Sequence, residues 1–269
     1  GDCKKLKVDV LFFKKEGNLD KLPETIGQLT NLRSLNLDLF ECRHVTNVDK
    51  IGETVHRLTS LLELTILLDR TRVTNVDVLL DAISHLTNLQ SLTLSLGGTR
   101  VTNVNKLAGA ISQLTNLHSF DLQLCRTHIT DVNKLVEEIG KITPMQHFLI
   151  DLRHTGVANL DKFAEGLRRL TNLKTLKVYL GCTNVSNVDK LVEVVGQLTH
   201  LRVFALDLLG TQLAPHLQSS FGSRERFLNE FAEDKAAAAA TRKKTAEEIQ
   251  IAAVAAATQR VALDATRKK

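Results

Sequence analysis

Apolar and polar residues follow two periods along this chain, and the two take turns. In Leu86–Gln113 the first half alternates residue by residue. Leu92, Leu94 and Leu96 are apolar, and Thr93 and Ser95 between them are polar. A period of two marks a strand with one buried face. In the second half Val104, Leu107 and Ile111 fall three and four apart, on one face of a helix. The whole unit then recurs. A Leu-Thr or Ile-Thr step leads each copy, at Leu29, Leu58, Leu86, Leu114, Ile142, Leu170 and Leu198, with a first interval of 29 residues and five more of 28. Self-similarity at that period predicts a solenoid of stacked supersecondary units. One strand and one helix per unit, with no room for a hairpin, predict parallel strands lying side by side.

The helix starts carry their own signal. Thr46-Asn47-Val48-Asp49, Thr74-Asn75-Val76-Asp77 and Ser186-Asn187-Val188-Asp189 each place a hydroxyl three residues before a carboxylate. The hydroxyl is expected to cap the free amides of the first turn, and the acid suits the positive end of the helix dipole. Thr102 with Asn105 and Thr130 with Asn133 are weaker versions. Ala158 has no hydroxyl, so the helix after it is expected to start less firmly.

Leu89, Leu92, Leu94 and Val101 follow an L-x-x-L-x-L pattern with a further apolar residue after the turn. This resembles the leucine-rich repeat family. The repeat length and helical second half resemble its ribonuclease-inhibitor-like class, which also occurs in the sensor regions of innate immune receptors. The resemblance covers roughly residues 1–215. It implies an α/β solenoid with a parallel concave sheet and convex helices. Two features depart from the pattern. An extra apolar step precedes the turn at Leu39, Leu68, Leu96, Leu124, Leu152, Leu180 and Leu208. Threonine replaces the turn asparagine at Thr71, Thr99, Thr127, Thr155, Thr183 and Thr211. These hydroxyls are expected to bond the neighbouring coil's backbone. Curvature follows from spacing: parallel strands sit about 4.8 Å apart while packed helices need about 8–10 Å.

Leu6, Val8 and Val10 with a helix over Leu19–Gly27 read as a further, partial repeat. Entry inside a strand and without Met reads as a trimmed segment or a processed product. Nothing at the start resembles a signal peptide. Near the other end the pattern fails after Thr211. Pro215 interrupts where the next cap belongs, and no further strand is expected. Gln218–Phe231 is expected to close the open end of the stack, with Phe221, Phe227, Leu228 and Phe231 covering the last coil. Residues 232–269 are alanine-rich, lack Gly and Pro, and suit a helix throughout. Ile251, Val254, Thr258 and Val261 form a thin apolar seam, like one strand of a short coiled coil. The expected organisation is therefore a capped solenoid over residues 1–231 and an alanine-rich helical tail over 232–269.

Composition changes little of this picture. The net charge of +5 from 35 basic and 30 acidic residues invites a nucleic-acid reading. The repeats weaken it. Lys21, Lys50, Lys106, Lys134, Lys162 and Lys190 stripe the helical side, and Glu24, Glu53, Glu137, Glu165 and Glu193 follow three residues after most of them. The expected concave row is mixed or acidic: Asp9, Asp38, Asp121, Asp151 and Asp207 against Lys7 and Lys177. That is a poor surface for phosphate. No apolar run approaches a membrane span. Cys125 and Cys182 fall two coils apart, beyond disulfide reach, and Cys3 and Cys42 lie at opposite ends of the sheet. All four read as small fillers, which points to a reducing, cytoplasmic-type compartment.

No catalytic or cofactor motif emerges. There is no G-x-S-x-G, no P-loop and no dinucleotide fingerprint. His118 and His147 fall on neighbouring strands near Asp121, and His128 and His154 fall in neighbouring turns; scattered surface histidines are the simpler reading. No metal and no cofactor are expected. Tyr179, the single tyrosine, points to the concave row beside Lys177 and is a candidate anchor for a partner. The expected function is a non-catalytic protein–protein interaction scaffold, a subunit of a larger assembly. Its partners would meet the concave sheet at Asp121, Asp151, Lys177, Tyr179 and Asp207, and the tail at Ile251, Val254 and Val261. A ligand-sensing fragment of an immune or signalling receptor is the alternative within that class. An RNA-binding protein, or an enzyme domain with its chemistry elsewhere, is the alternative outside it.

Overall fold

The computed structural model describes the backbone of residues 4–8 and 19–267; side chains are described for these except residues 8, 246 and 251–267. The sequence expectations for Cys3, Asp9 and Val10 lie outside the described residues. The chain forms two compact units, Gly1–Arg224 and Glu225–Lys269.

In the first unit strands and helices alternate. The strands are β1 (Lys5–Val8), β2 (Ser34–Asp38), β3 (Glu63–Leu67), β4 (Ser91–Ser95), β5 (Ser119–Gln123), β6 (His147–Asp151), β7 (Thr175–Tyr179), β8 (Val203–Asp207) and β9 (Ser220–Phe221). The helices between them are α1 (Leu22–Thr25), α2 (Asp49–Arg57), α3 (Asp77–Ser84), α4 (Asn105–Ile111), α5 (Asn133–Ile139), α6 (Asp161–Arg168) and α7 (Asp189–Gln197). Among the described residues nine strands make one sheet in sequential order. Each pair from β1 to β8 is parallel, and each residue faces its counterpart one repeat on, as Leu92 faces Phe120 and Leu94 faces Leu122. Strand, turn, helix and return at one interval make this a leucine-rich repeat solenoid.

The alternation does what it predicts. Leu92, Leu94 and Leu96 are buried, as are their counterparts from β2 to β8. The Leu-Thr step closes each coil. Leu61 N–H donates to the Leu58 carbonyl and Leu89 N–H to the Leu86 carbonyl, a tight turn that returns the chain from helix to strand. Asn116 Nδ2 and Asn172 Nδ2 each donate to a threonine carbonyl of the preceding coil, Thr87 and Thr143, at 3.0 Å.

The strand exit holds another regularity. Glu41, Arg70, Arg126, His154 and Cys182 have φ between 57° and 60°, and Gly98 and Gly210 fill the same place at 65° and 69°. This left-handed step costs a side-chain-bearing residue some strain. It also turns each amide toward the next coil: Arg70 N–H meets Gly97 O at 2.7 Å and Arg126 N–H meets Arg153 O at 2.8 Å. The backbone ladder thus continues past the strand.

Several expectations need correcting. The turn threonines bond within their own coil and not across it. Thr71, Thr99, Thr127, Thr155, Thr183 and Thr211 donate to the carbonyl three residues back, at 2.6–2.8 Å, while buried. Side-chain to backbone links between coils come instead from Asn116 and Asn172 of the return turns. The helix caps also differ. The N-cap residue is Val48, Val76 or Val188, with no side-chain cap of its own. The oxygen that takes a first-turn amide belongs to the asparagine just before it. Asn47, Asn75, Asn103, Asn159 and Asn187 accept from the residue two positions on at 2.6–2.7 Å, and Asp131 does the same at 2.7 Å. The helix after Ala158 therefore starts as firmly as the others. Asn159→Ala should cost about 1 kcal/mol, while Ser186→Ala should stay within about 0.5 kcal/mol; urea unfolding of both variants checks this.

At the start of the chain, α1 is shorter than Leu19–Gly27 and tightens into a 3-10 turn at Ile26–Gln28. Pro23 fixes its beginning, because proline fits only a first helical turn. At the far end a further strand does form. The 3-10 turn Pro215–Leu217 folds the chain back, and β9 pairs antiparallel with β8 through Leu206–Phe221 and Asp207–Ser220. Phe221 is buried there. Arg224 secures the closure, donating to the Val195 and Gly196 carbonyls at 2.9 and 2.6 Å.

Of the lysine–acid pairs expected within helices, Lys50–Glu53 forms at 2.8 Å. Lys106 reaches Asp77 of the preceding coil at 3.0 Å, and Lys190 lies 3.5 Å from Asp161 and 3.4 Å from Glu165. A long stem finds an acid on the neighbouring helix as readily as on its own.

The second unit is one helix, most of α8 (Arg224–Arg267). Phe227 and Phe231 pack ring against ring at 5.0 Å. Residues 232–245 are exposed apart from a half-buried Asp234. No described helix is long and apolar enough to cross a membrane.

Candidate protein-binding surface

The sheet has one face turned into the core and one left open. The parallel register stacks equivalent residues of the open face in rows. One row runs Thr65, Thr93, Asp121, Leu149, Lys177, Ala205. The next runs Leu67, Ser95, Gln123, Asp151, Tyr179, Asp207. Asp151, Tyr179 and Asp207 are therefore direct neighbours, while Leu149 separates Asp121 from Lys177.

Asp151 is only 3% exposed. A buried carboxylate needs full pairing, and Arg153 supplies it. Its Nε lies 3.0 and 3.1 Å from the two carboxylate oxygens and a terminal nitrogen lies 2.6 Å from Oδ2. The Arg153 amide adds a bond to Oδ1 at 3.0 Å. The bidentate hydrogen bond holds the guanidinium firmly in its charged form. That guanidinium also lies 5.3 Å from the Tyr179 ring centroid, in cation–π contact. What reaches the surface at this point is thus the Arg153–Tyr179 pair, with Asp151 beneath it. Asp207 has a related role at the sheet's end, accepting from Leu209 N–H at 3.1 Å and the Ser220 hydroxyl at 3.0 Å.

A second polar chain crosses the middle of the sheet. The Ser95 hydroxyl donates to Asp69 Oδ1 at 2.6 Å, and Gln123 Nε2 lies 3.5 Å from Asp121 Oδ1. Burial pushes the Asp69 and Asp121 carboxyls above the ordinary value of 3.8. The Ser95 and Gln123 hydrogen bonds oppose this, as does the Lys177 charge at Asp121. Burial, and the charges of Asp151 and Asp69, likewise push the Cys125 thiol up. A carboxyl raised in the folded state contributes most below its unfolded value and loses that contribution as pH rises through the folded value. Asp121→Asn should therefore raise the melting temperature at neutral pH, and the gain should vanish as pH falls toward 3.8. Calorimetry across that range checks the sign.

Asp69 and Arg153 are the participants that sequence reasoning missed. Both lie two residues past a strand's last open-face position. Leu68 and Leu152 just before them stay buried, so the period of two extends one step further than the strand. Ile251, Val254 and Val261 lie outside the described side chains. The histidines have local partners: His118 Nδ1 lies 2.6 Å from Asn116 O, and His147 Nδ1 lies 3.0 Å from the Thr175 hydroxyl. Among the described residues no group of three His, Cys, Asp or Glu is placed to hold a metal ion. Cys42 is buried, as a filler should be, whereas Cys125 is half-buried and Cys182 is exposed. The left-handed turn at Cys182 points its thiol outward and corrects the reading of every cysteine as a buried filler.

No protein-family model matches this chain, and no curated protein matches it. Among solved structures the chain is similar to internalin C2 from Listeria monocytogenes, at 26% identity over 71% of this chain and 67% of that one, with a TM-score of 0.47. It is also similar to an internalin F from the same organism, at 17% identity over 84% and 64%, TM-score 0.44. A third is the leucine-rich repeat ectodomain of the plant membrane receptor kinase GASSHO1/SCHENGEN3 from Arabidopsis thaliana, at 18% identity over 70% and 25%, TM-score 0.39. The chain thus spans 64% of the internalin F structure and 25% of the receptor ectodomain. All three TM-scores lie below 0.5.

Proposed function

We propose that this chain is a non-catalytic protein-binding scaffold, a subunit of a larger assembly, which meets partners through the open face of its sheet and through α8. The observation that carries the reading is the Asp151–Arg153–Tyr179 arrangement. An aromatic ring is held by a charge-paired arginine on an extended open surface, and Tyr and Arg are the residue types that dominate binding energy. Lys177, Asp121 and Asp207 surround it with charge that selects among partners. The tail supports the same reading, because an isolated helix is marginal in water even when alanine-rich. A mixed, partly acidic sheet face favours protein over nucleic acid. The exposed thiol of Cys182 fits a reducing compartment.

Deleting residues 233–269 should leave the melting of the repeats nearly unchanged and abolish co-purification of the main partner. Tyr179→Ala should weaken that partner's binding by about tenfold or more, as removal of an interface anchor does. Retention of the partner by both variants at wild-type strength would defeat the proposal.

A further inference from the structure

The helical face carries a ladder of charge with one gap. In five of the six helices α2–α7 the second residue is a lysine (Lys50, Lys106, Lys134, Lys162 and Lys190), and in five the fifth is an acid (Glu53, Asp81, Glu137, Glu165 and Glu193). Val78 breaks the lysine row in α3, and Gly109 breaks the acid row in α4, one coil on. Between these helices lies an open groove of about 600 Å³, lined by Val78, Leu80, Gly109 and Ala110 with Asp77, Asp81 and Lys106. Val78 is 43% exposed, and a Cβ added at Gly109 would meet nothing within 4 Å. The preceding junction is tighter: its groove is about 270 Å³, and a Cβ at Gly52 would sit 2.9 Å from the Val78 carbonyl. Lys106 is taken up by Asp77, whereas Asp81 has no ion pair among the described residues.

The second unit carries complementary chemistry. Ala236–Ala240 offer a helix surface with nothing beyond Cβ, and Arg242, Lys243 and Lys244 follow, exposed and without ion pairs among the described residues. Small side chains let two helices approach closely, and lysine stems can lie along an exposed valine while their charge reaches a carboxylate. We propose that the groove between α3 and α4 receives the alanine-rich helix of a second copy of this chain. Ala236–Ala240 lie against Val78 and Gly109, and the Arg242–Lys244 cluster meets Asp81. Reciprocal docking repeats the contact and closes the assembly as a symmetric dimer. This rests on the reading of α8 as a partner contact and names that partner.

Sedimentation equilibrium of the full chain tests it. The wild type should self-associate as its concentration rises, less so at high salt. Val78→Lys and Gly109→Glu each install the residue found at that position in most of the other helices. Both should melt like the wild type yet weaken association by about tenfold or more. Reversing the tail charge with Arg242→Glu, Lys243→Glu and Lys244→Glu should also weaken it, and adding Asp81→Lys should restore it. A wild type that stays monomeric overturns the proposal. So do Val78→Lys and Gly109→Glu variants that fold and associate normally. If a monomeric wild type still loses a co-purifying protein when residues 233–269 are removed, α8 remains a partner contact and only the identity of its partner falls.

Discussion

Leu94→Asp is expected to cost about 4–8 kcal/mol, enough to unfold much of the repeat array. The cost joins two losses: about 1.5–3 kcal/mol for the buried leucine and several more for a carboxyl that finds no partner in the core. Leu94 is fully buried in β4, stacked between Ile66 and Leu122. Each coil is supported by its neighbours alone, so a fault in the middle separates the array into two weaker halves. Thr93→Asp, one residue away but on the open face, is the control and should cost less than about 1 kcal/mol. Circular dichroism melts of the two variants decide this. A Leu94→Asp protein melting with the wild type would remove the solenoid register described above.

Arg153→Ala is expected to cost about 2–3 kcal/mol. Breaking a fully buried ion pair costs about 3–5 kcal/mol because the remaining charge is stranded; the lower figure applies since the Arg153 side chain is 46% exposed. Asp151 keeps its bond from the residue 153 amide but loses the guanidinium. Tyr179 loses its cation–π partner in the same step, so partner binding should weaken together with stability. Replacing both members, as Asp151→Asn with Arg153→Ala, should recover most of the stability but not the binding. Chemical unfolding and a binding titration on the same samples separate the two effects. Equal stability of the single variant and the wild type would contradict the pairing.

The fold was legible because packing in a solenoid is periodic. Leu92 and Leu94 announce the strand, Leu107 and Ile111 announce the helix, and the interval of 28 sets the register. Details at the ends of elements were not legible, for physical reasons. In Thr46-Asn47-Val48-Asp49 two side-chain oxygens sit one residue apart, and only the backbone at Val48, with φ −124° and ψ 16°, decides that Asn47 takes the amide. The strand β9 is two residues long and carries no period. At the candidate surface, Tyr179, Lys177 and Asp121 could be read from alternation. Arg153 and Asp69 could not, because they lie in the turn past the last strand residue, where alternation alone sets no expectation.

The most direct test of protein binding as the function is recovery of partners from native lysate with the full chain as bait, comparing wild type, Tyr179→Ala and the chain lacking residues 233–269. Mass spectrometry and nucleic-acid extraction would be applied to each eluate. The expected result is a protein partner retained by the wild type, reduced by Tyr179→Ala and lost with the tail, with little RNA at any salt concentration. Recovery of RNA whose binding falls steeply with salt, with no protein that responds to either change, would contradict it.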